Sequence, residues 1–285
     1  MSAPEPTSID SPHPAAMFNG RNNMQLHSQS LGHGQPLIVL HGLFGSLQNW
    51  HTVSRALAEQ FRVIAVDQRN HGHSPHSDEM SYRLMAQDLE EFMRAHNLAR
   101  AHVMGHSMGG KTAMQFALLY PERVEKLIVV DIAPREYVPR HQKMLEGMLS
   151  LDLTTFQTRK QMEEALTPFV PDLSVRQFLL KNVTRHLDGT FGWKLGLQEI
   201  HKNYPALSEA LVGEAPVDVP ALFLRGENSD YLREEDMSLI RRRFPRAELR
   251  IIPRAGHLVH AENPAAFLEA VQEFLLSTTS ETPGL

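Results

Sequence analysis

The amino-acid sequence predicts an α/β fold with a mostly parallel central sheet, helices on both faces and an inserted helical segment. Two observations predict it. Four short apolar runs consist mainly of branched aliphatic residues and do not alternate with polar residues, which is typical of strands buried on both faces. Segments of helical periodicity separate these runs, and strands that alternate with helices form parallel sheets. The runs are Leu37–Leu40, Val63–Val66, His102–Gly105 and Leu127–Val130.

Helical patterns lie between these strands. In the second of them Leu84, Met85 and Leu89 recur at the spacing of one helix face. The predicted helices in this part of the chain are Asn49–Gln60, Tyr82–His96 and Met108–Tyr120.

One long segment departs from this alternation. Between residues 134 and 215 the periodicity is helical and no strand-like run appears, whereas strand and helix patterns resume from Pro220. We therefore predict an α/β core of residues 21–133 and 216–285, interrupted by a helical cap of residues 134–215. An insertion at the carboxyl ends of the strands would lie where open sheets bind ligands. The later elements are strands at Ala221–Leu224 and Glu248–Ile252 and helices at Glu234–Phe244 and Pro264–Leu276.

Composition excludes several classes of function. The chain has 285 residues, 42% apolar and 21% charged, and no apolar stretch approaches the length of roughly 18 residues that a membrane helix needs. A net charge of −5 without a basic block argues against a nucleic-acid partner. The absence of cysteine excludes disulfides, thiolate-bound zinc and a cysteine nucleophile. Residues 1–20 lack the pattern of a targeting signal, so we predict a disordered tail there and a cytoplasmic protein.

The strongest catalytic signal is the segment Gly-His-Ser-Met-Gly-Gly at residues 105–110. It follows a predicted strand and opens a predicted helix, which is the context of the nucleophile elbow motif G-x-S-x-G. A sharp turn there projects the serine hydroxyl from the sheet edge, and side chains at Gly105 or Gly109 would collide with the neighbouring strand or helix. We predict Ser107 as a nucleophile, the alternative being an ordinary serine at the start of a helix.

A serine nucleophile needs a general base. The best candidate is His257, which follows the last predicted strand and precedes the last helix, because a loop there can reach back over the elbow. His260 is the rival, although it lies closer to the helix. With His257 as the base, activity should rise with pH around the ordinary histidine pKa of about 6.5.

Two backbone amides are needed to stabilise the oxyanion of an acyl-transfer reaction. One is expected from Met108, the residue after the nucleophile. The second is expected from the loop His-Gly-Leu-Phe-Gly-Ser at residues 41–46, which directly follows the first apolar run and whose glycines let the backbone approach a substrate. The amide of Leu43 is the first choice and that of Phe44 the second.

These motifs together resemble the α/β-hydrolase fold superfamily, over about residues 24–276. The loop Asp67–Pro75 is similar to the superfamily's D-x-R-G-x-G-x-S loop, with Asn70 in place of a usual glycine. Four segments resemble those of the bacterial YbfF-type esterases and the related α/β-hydrolase-domain lipid esterases: His-Gly-Leu-Phe-Gly-Ser, Arg-Asn-His-Gly, Gly-His-Ser-Met-Gly-Gly-Lys and Val-Asp-Ile-Ala-Pro. The resemblance implies the α/β-hydrolase fold and hydrolysis of an ester.

The resemblance also bears on the acid that orients the base. In most α/β hydrolases this acid lies three residues after the glycine that ends the strand before the last, and here that position is Ser229. Asp230 is one place out of register, whereas Asp131 ends a neighbouring strand. YbfF-type esterases are similar to this arrangement, with the acid on the earlier strand and a serine at the later position. The resemblance therefore implies Asp131 as the acid and Ser229 as an auxiliary hydrogen-bonding partner, with Asp230 as the alternative.

The predicted protein is a serine hydrolase that cleaves carboxylic esters of short to medium acyl chains through an acyl-enzyme intermediate. Its partner is a small-molecule ester, and the reaction needs no cofactor. His71, His73 and His76 have a spacing that could suggest a metal site, but few carboxylates lie among them and no metal is expected. Alternatives are a thioester, a lactone or a carbon–carbon bond as the substrate of the same residues, and a non-catalytic small-molecule binding protein of this fold.

Overall fold

The computed structural model of the protein describes residues 24–213 and 215–277, and the tail predicted at residues 1–20 lies outside these ranges. Within them the strands are β1 Ser28–Leu31, β2 Pro36–Leu40, β3 Arg62–Val66, β4 Ala101–His106, β5 Val124–Val130, β6 Val183–Arg185, β7 Phe191–Trp193, β8 Ala221–Gly226 and β9 Ala247–Ile252. The helices are α1 His51–Leu57, α2 Tyr82–Ala95, α3 Met108–Leu119, α4 Gln142–Ser150, α5 Arg159–Leu166, α6 Leu173–Leu180, α7 Leu197–Ser208, α8 Met237–Arg243, α9 Val259–Glu262 and α10 Pro264–Leu276. None of these helices is both long and apolar enough to cross a membrane.

Seven strands form the main sheet, in the order β1-β3-β2-β4-β5-β8-β9. The pairs from β3 to β9 are parallel, and β1 pairs antiparallel with β3 at one edge. The predicted α/β fold with a mostly parallel sheet is confirmed. Sequence reasoning misses β1, because its residues Ser28–Leu31 are mostly polar and partly exposed and therefore form no apolar run.

Both faces of the sheet are covered, which explains the unbroken apolar runs. Ile38 and Leu40 of β2 pack in an apolar cluster that includes residues of α2 and α3. The alternate residues Leu37 and Val39 pack on the opposite face, in a cluster that includes residues of α1 and α10. Successive side chains of a strand point to opposite faces, so each strand residue is buried by one layer or the other. Full burial of such a side chain contributes about 1.5–3 kcal/mol to folding.

The chain between β5 and β8, called the insertion below, contains α4 to α7 and a hairpin of β6 and β7. The sequence predicts no strand there, so the hairpin corrects the prediction. Its strands have three residues each and are too short to show a period of two. The turn between them requires a φ of +88° at residue 189, which glycine adopts without strain. The Asp188 carboxylate stabilises the turn by accepting a hydrogen bond from the amide of Thr190 at 2.9 Å.

Hydrogen bonds connect the insertion to loops that follow the core strands. The Asn182 side-chain amide donates to the carbonyl of Phe44 after β2 (2.7 Å). The backbone amide of Gly196 donates to the carbonyl of Asn70 after β3 (2.9 Å). Because β2 and β3 are parallel neighbours, these loops lie at the carboxyl edge of the sheet, and the insertion is held against that edge.

Candidate active site

Ser107 lies at the sharp turn between β4 and α3. Its backbone is in the left-handed region, with φ +52°, which is uncommon for a residue other than glycine. The two glycines of the motif are required by close packing. A Cβ atom on Gly105 would lie 2.1 Å from the carbonyl oxygen of Gly109, and one on Gly109 would lie 2.5 Å from that of Leu40 in β2. The strained turn therefore depends on both glycines.

Three of the predicted residues meet at the carboxyl edge of the sheet. The hydroxyl of Ser107 lies 3.1 Å from Nε2 of His257, in the loop between β9 and α9. Nδ1 of the same imidazole lies 2.7 Å from Oδ2 of Asp131, directly after β5. The structure thus forms a continuous hydrogen-bond chain from Ser107 through His257 to Asp131.

Asp131 is fully buried and has three hydrogen-bond partners. Its backbone has φ +54°, which turns the carboxylate toward the loop after β8. The amide of Gly226, the last residue of β8, donates to Oδ1 at 3.1 Å. The hydroxyl of Ser229 in the loop donates to Oδ2, which also accepts the hydrogen bond from Nδ1 of His257. Ser229 therefore lies where the sequence predicts an auxiliary partner of the acid.

The two rival residues lie elsewhere. Asp230 has a side chain that is 59% exposed and forms an ion pair with Arg140 of the insertion at 2.9 Å. The ring of His260 stacks on that of Trp50, with centroids 4.3 Å apart, and is buried in the apolar layer near α10. Neither residue takes part in the hydrogen-bond chain that contains Ser107.

Burial dominates the electrostatics of the Asp131–His257 pair. It raises the pKa of Asp131 to about 7, although the hydrogen bonds from Ser229 and Gly226 act in the opposite direction. It lowers the pKa of His257 to about 3, and His141 adds to the effect. The imidazole is therefore uncharged at neutral pH, with Nδ1–H donating to the carboxylate and the lone pair of Nε2 facing the Ser107 hydroxyl.

The two amides predicted to stabilise the oxyanion are those of Leu43, in the loop after β2, and of Met108, the first residue of α3. Leu43 and Met108 both line the cavity beside Ser107. The amide of Phe44, the second choice, already donates to Nε2 of His71 at 3.3 Å. Within residues 24–213 and 215–277, the amide of Leu43 has no hydrogen-bond partner. The structure thus favours Leu43 over Phe44.

Several histidines near the site hold backbone segments in place. His71 donates from Nδ1 to the carbonyl of Arg69 (2.9 Å) and accepts the amide of Phe44. His106 donates from Nε2 to the carbonyl of His257 (2.8 Å). Burial lowers the pKa of both His71 and His106 to about 3, so both rings stay neutral. Sequence reasoning misses these roles, although both residues lie within recognised motifs. In the described part of the chain, no cluster of three or more His, Asp or Glu residues is arranged to hold a metal ion.

The cavity beside Ser107 has a volume of about 60 Å³. Residues from the core and from the insertion line it, and the apolar ones are Leu43, Met108, Ile132, Val138 and Leu207. Lys111, to which the sequence assigns no role, is buried in its wall and donates to the carbonyl of Glu209 at the end of α7. Burial lowers the pKa of Lys111 to about 7. Through its hydrogen bond to Glu209, Lys111 of α3 connects the end of α7 in the insertion to the core.

The comparison with known proteins decides the family. The model of a family described as alpha/beta hydrolase fold matches residues 35–264, well over half of the chain. The chain belongs to the α/β-hydrolase family. Two relatives and one solved structure show which members of this family the chain resembles.

The mouse (Mus musculus) sn-1-specific diacylglycerol lipase ABHD11 is 38% identical over 247 residues, which cover 84% of this chain and 80% of that protein. The Escherichia coli esterase YbfF is 37% identical over 252 residues, which cover 87% of this chain and 96% of that protein. A solved structure of a marine microorganism esterase is 44% identical with a TM-score of 0.86, covering 88% of this chain and 99% of that chain. The resemblance to YbfF-type and α/β-hydrolase-domain esterases is confirmed.

This α/β hydrolase departs from the usual pattern at Asn70. The residue has φ +64°, a conformation that favours glycine but that asparagine also adopts. Its side chain closes the loop by accepting the amide of Ser77 at 2.7 Å and donating to the carbonyl of the same residue at 3.1 Å. Asparagine therefore replaces glycine here without loss of the turn.

Proposed function

We propose that the protein is a serine hydrolase of carboxylic esters, with Ser107 as nucleophile, His257 as general base and Asp131 as the acid that orients the base. The observation that carries the proposal is the hydrogen-bond chain that begins at Ser107, in the wall of a cavity, and continues through His257 to Asp131. The names of the relatives, two esterases and a lipase, support the same class of reaction.

Acylation follows from the geometry. Oγ of Ser107 attacks the carbonyl carbon of the ester while its proton passes to Nε2 of His257. The carbonyl oxygen becomes an oxyanion, and we assign its stabilisation to the amides of Leu43 and Met108. When the tetrahedral intermediate collapses, the bond to the alcohol oxygen breaks, and the alcohol leaves with the proton from Nε2.

Deacylation repeats the steps with water. His257 takes a proton from a water molecule that attacks the acyl carbon of the ester on Ser107. Collapse of this second intermediate returns the proton to Oγ and releases the carboxylic acid. In both halves Asp131 stabilises the positive charge on the imidazole, and the donors Ser229 and Gly226 favour the ionised carboxylate against its burial.

The cavity indicates short acyl groups. Its volume of about 60 Å³ lies well below the roughly 300 Å³ of small ligand pockets, so we infer acyl groups at the short end of the predicted short to medium range. Because the insertion contributes Val138 and Leu207 to the wall, we propose that it forms a cap domain that limits acyl length. The cytoplasmic location and the absence of a nucleic-acid partner stay predictions of the sequence.

Hydrolysis of p-nitrophenyl esters of increasing acyl length tests the proposal. The parent protein should cleave the shortest esters fastest, and Ser107→Ala should lose nearly all turnover while keeping its circular dichroism spectrum. Ser150→Ala, which removes a hydroxyl from the end of α4, is the matched control and should behave as the parent.

Labelling by a fluorophosphonate separates an enzyme from a binding protein. A serine activated by His257 reacts with this probe, so the parent and Ser150→Ala should be labelled and Ser107→Ala should not. A folded parent protein that neither reacts with the probe nor cleaves any ester would favour the non-catalytic alternative.

A further inference from the structure

The ring of Tyr231 lies flat against the imidazole of His257. Their centroids are 3.7 Å apart and their planes are inclined by 18°. Tyr231 belongs to the loop after β8, two residues beyond Ser229, and it lines the same cavity as Ser107. Neither the sequence motifs nor the reaction steps above give this residue a role.

Contacts other than the stack hold Tyr231 in place. Its amide lies 3.2 Å from the hydroxyl oxygen of Ser229, and its carbonyl accepts the hydroxyl of Tyr137 at 2.6 Å. The guanidinium of Arg140, paired with Asp230, lies 5.2 Å from the ring centroid. The ring of Tyr231 is therefore held in one position, and the imidazole of His257 packs against its face.

A fixed aromatic face distinguishes between the two charge states of the imidazole. The face of an aromatic ring carries negative partial charge and attracts a cation within about 6 Å, more strongly where water is excluded. In the reaction above His257 is neutral before each step and becomes an imidazolium as Ser107 or water gives up its proton. The ring contact is therefore stronger in the transition state than in the ground state, which is the condition for raising kcat.

We propose that Tyr231 is a positioning residue that stabilises the imidazolium form of His257 and holds its plane so that Nε2 faces Ser107. The inference rests on the proposed ester hydrolysis and deepens it, because it adds a fifth residue to Ser107, His257, Asp131 and Ser229. Its effect falls on kcat rather than on KM.

Other groups also act on the charge of the imidazole. Those that face it are the contacting carboxylate of Asp131, the neighbouring rings of His106, His141 and His260, and the charges of Arg140, Asp230 and Glu262. All of them stay in place when only the electron density of the ring at position 231 is changed. A test that alters this density and keeps the shape of the ring therefore acts on its contacts with the imidazole and with the guanidinium of Arg140, of which only the imidazole changes charge during the reaction.

Fluorinated phenylalanines at position 231 provide that test. Tyr231→Phe keeps the ring, so its kcat should stay within about threefold of that of the parent. Incorporation of mono-, tri- and pentafluorophenylalanine progressively removes negative charge from the face, so kcat should fall stepwise, by about tenfold for the last member, with KM almost constant. A series in which kcat does not depend on fluorination would overturn the proposal.

Tyr231→Leu removes the ring and tests whether it positions the imidazole. We expect kcat to fall at least about tenfold, and the downfield proton resonance of Nδ1–H of His257 to broaden as water reaches it, at an unchanged melting temperature. Tyr82→Leu is the matched control, because Tyr82 lines the same cavity but donates its hydroxyl to Leu207; it should change KM and leave the resonance intact.

A folded Tyr231→Leu protein with parental kcat and an unchanged resonance would refute the role of the ring. The resonance is measured without substrate, so this outcome is distinct from failure of the proposed function. A parent protein that shows the resonance and its dependence on the ring, but cleaves no ester, would refute the ester hydrolysis instead.

Discussion

Asp131 and Ser229 are joined by a hydrogen bond from the hydroxyl to the carboxylate, although 98 positions separate them in the chain. Their strands β5 and β8 are neighbours in the sheet, so the residues that follow the two strands meet at its carboxyl edge. The bond links the acid at the end of one strand to a hydroxyl at the end of the next. It provides one of the three donors that surround the buried carboxylate.

Ser229→Ala removes one of these donors, and its effect should depend on pH. Hydrogen bonds favour the ionised carboxylate, so their loss raises the pKa of Asp131 further above its ordinary value. A hydrogen bond to a charged group contributes roughly 1.5–3 kcal/mol, so the acid limb of kcat/KM should move up by about 1–2 pH units. Rates from pH 5 to 9 check this. An equal loss of activity at every pH would indicate a structural role alone.

Asp131→Asn and Asp230→Asn distinguish the two candidate acids. Asparagine at position 131 cannot stabilise the imidazolium and favours the wrong tautomer of His257, so kcat should fall by about 10³- to 10⁴-fold. Asp230 is exposed and pairs with Arg140, so Asp230→Asn should stay within about threefold of the parent. Steady-state kinetics on a short-chain ester measure both. Equal losses in the two variants would contradict the assignment of Asp131.

The parent protein should show a rate that rises with pH near neutrality. The active state needs an ionised Asp131 and a free Nε2 on His257. Burial raises the pKa of Asp131 to about 7, so below this pH the pair holds one extra proton and the rate falls. The midpoint of kcat/KM should thus lie near 7, slightly above the value expected for an ordinary histidine, and it belongs to the pair as a whole. A flat rate between pH 5 and 8 would argue against this base.

Local signals suffice to place Ser107 at a strand-to-helix turn and to predict the order of the core elements that follow β1. Ser107 is identified because strand, glycine-flanked turn and helix are adjacent in the sequence, and the structure reproduces each of them. His257 is predicted as the base because of its place after the last strand. The short hairpin of β6 and β7 is missed because strands of three residues carry too little pattern.

Properties that depend on distant segments are not predicted from the residues alone. The choice between Asp131 and Asp230 requires the relative positions of the ends of β5 and β8, and only the resemblance to related esterases favours Asp131. The stack of Tyr231 on His257 joins loops whose approach no local pattern encodes. The only signal is an aromatic residue close to Ser229. Cavity volume likewise depends on where the insertion packs.

Gly42→Ala tests the loop that we assign to the oxyanion. A Cβ atom on Gly42 would lie 2.9 Å from Nδ1 of His106 and 3.4 Å from Cβ of Ser107. Because the hydrogen bond to the carbonyl of His257 holds the His106 ring, we expect the loop to move away from the elbow. Loss of one oxyanion donor costs about 10²- to 10³-fold in kcat, and a displaced donor should cost about 10- to 100-fold. Kinetics on a short-chain ester, with KM compared, measure the loss.

Gly189→Ala is the control for the destabilising effect of an added methyl group. It introduces strain at φ +88° in the turn between β6 and β7, which costs about 1–2 kcal/mol. This variant should lower the melting temperature by more than Gly42→Ala does, yet keep a kcat near that of the parent. The opposite pattern, with kcat retained in Gly42→Ala, would place the second oxyanion donor outside this loop.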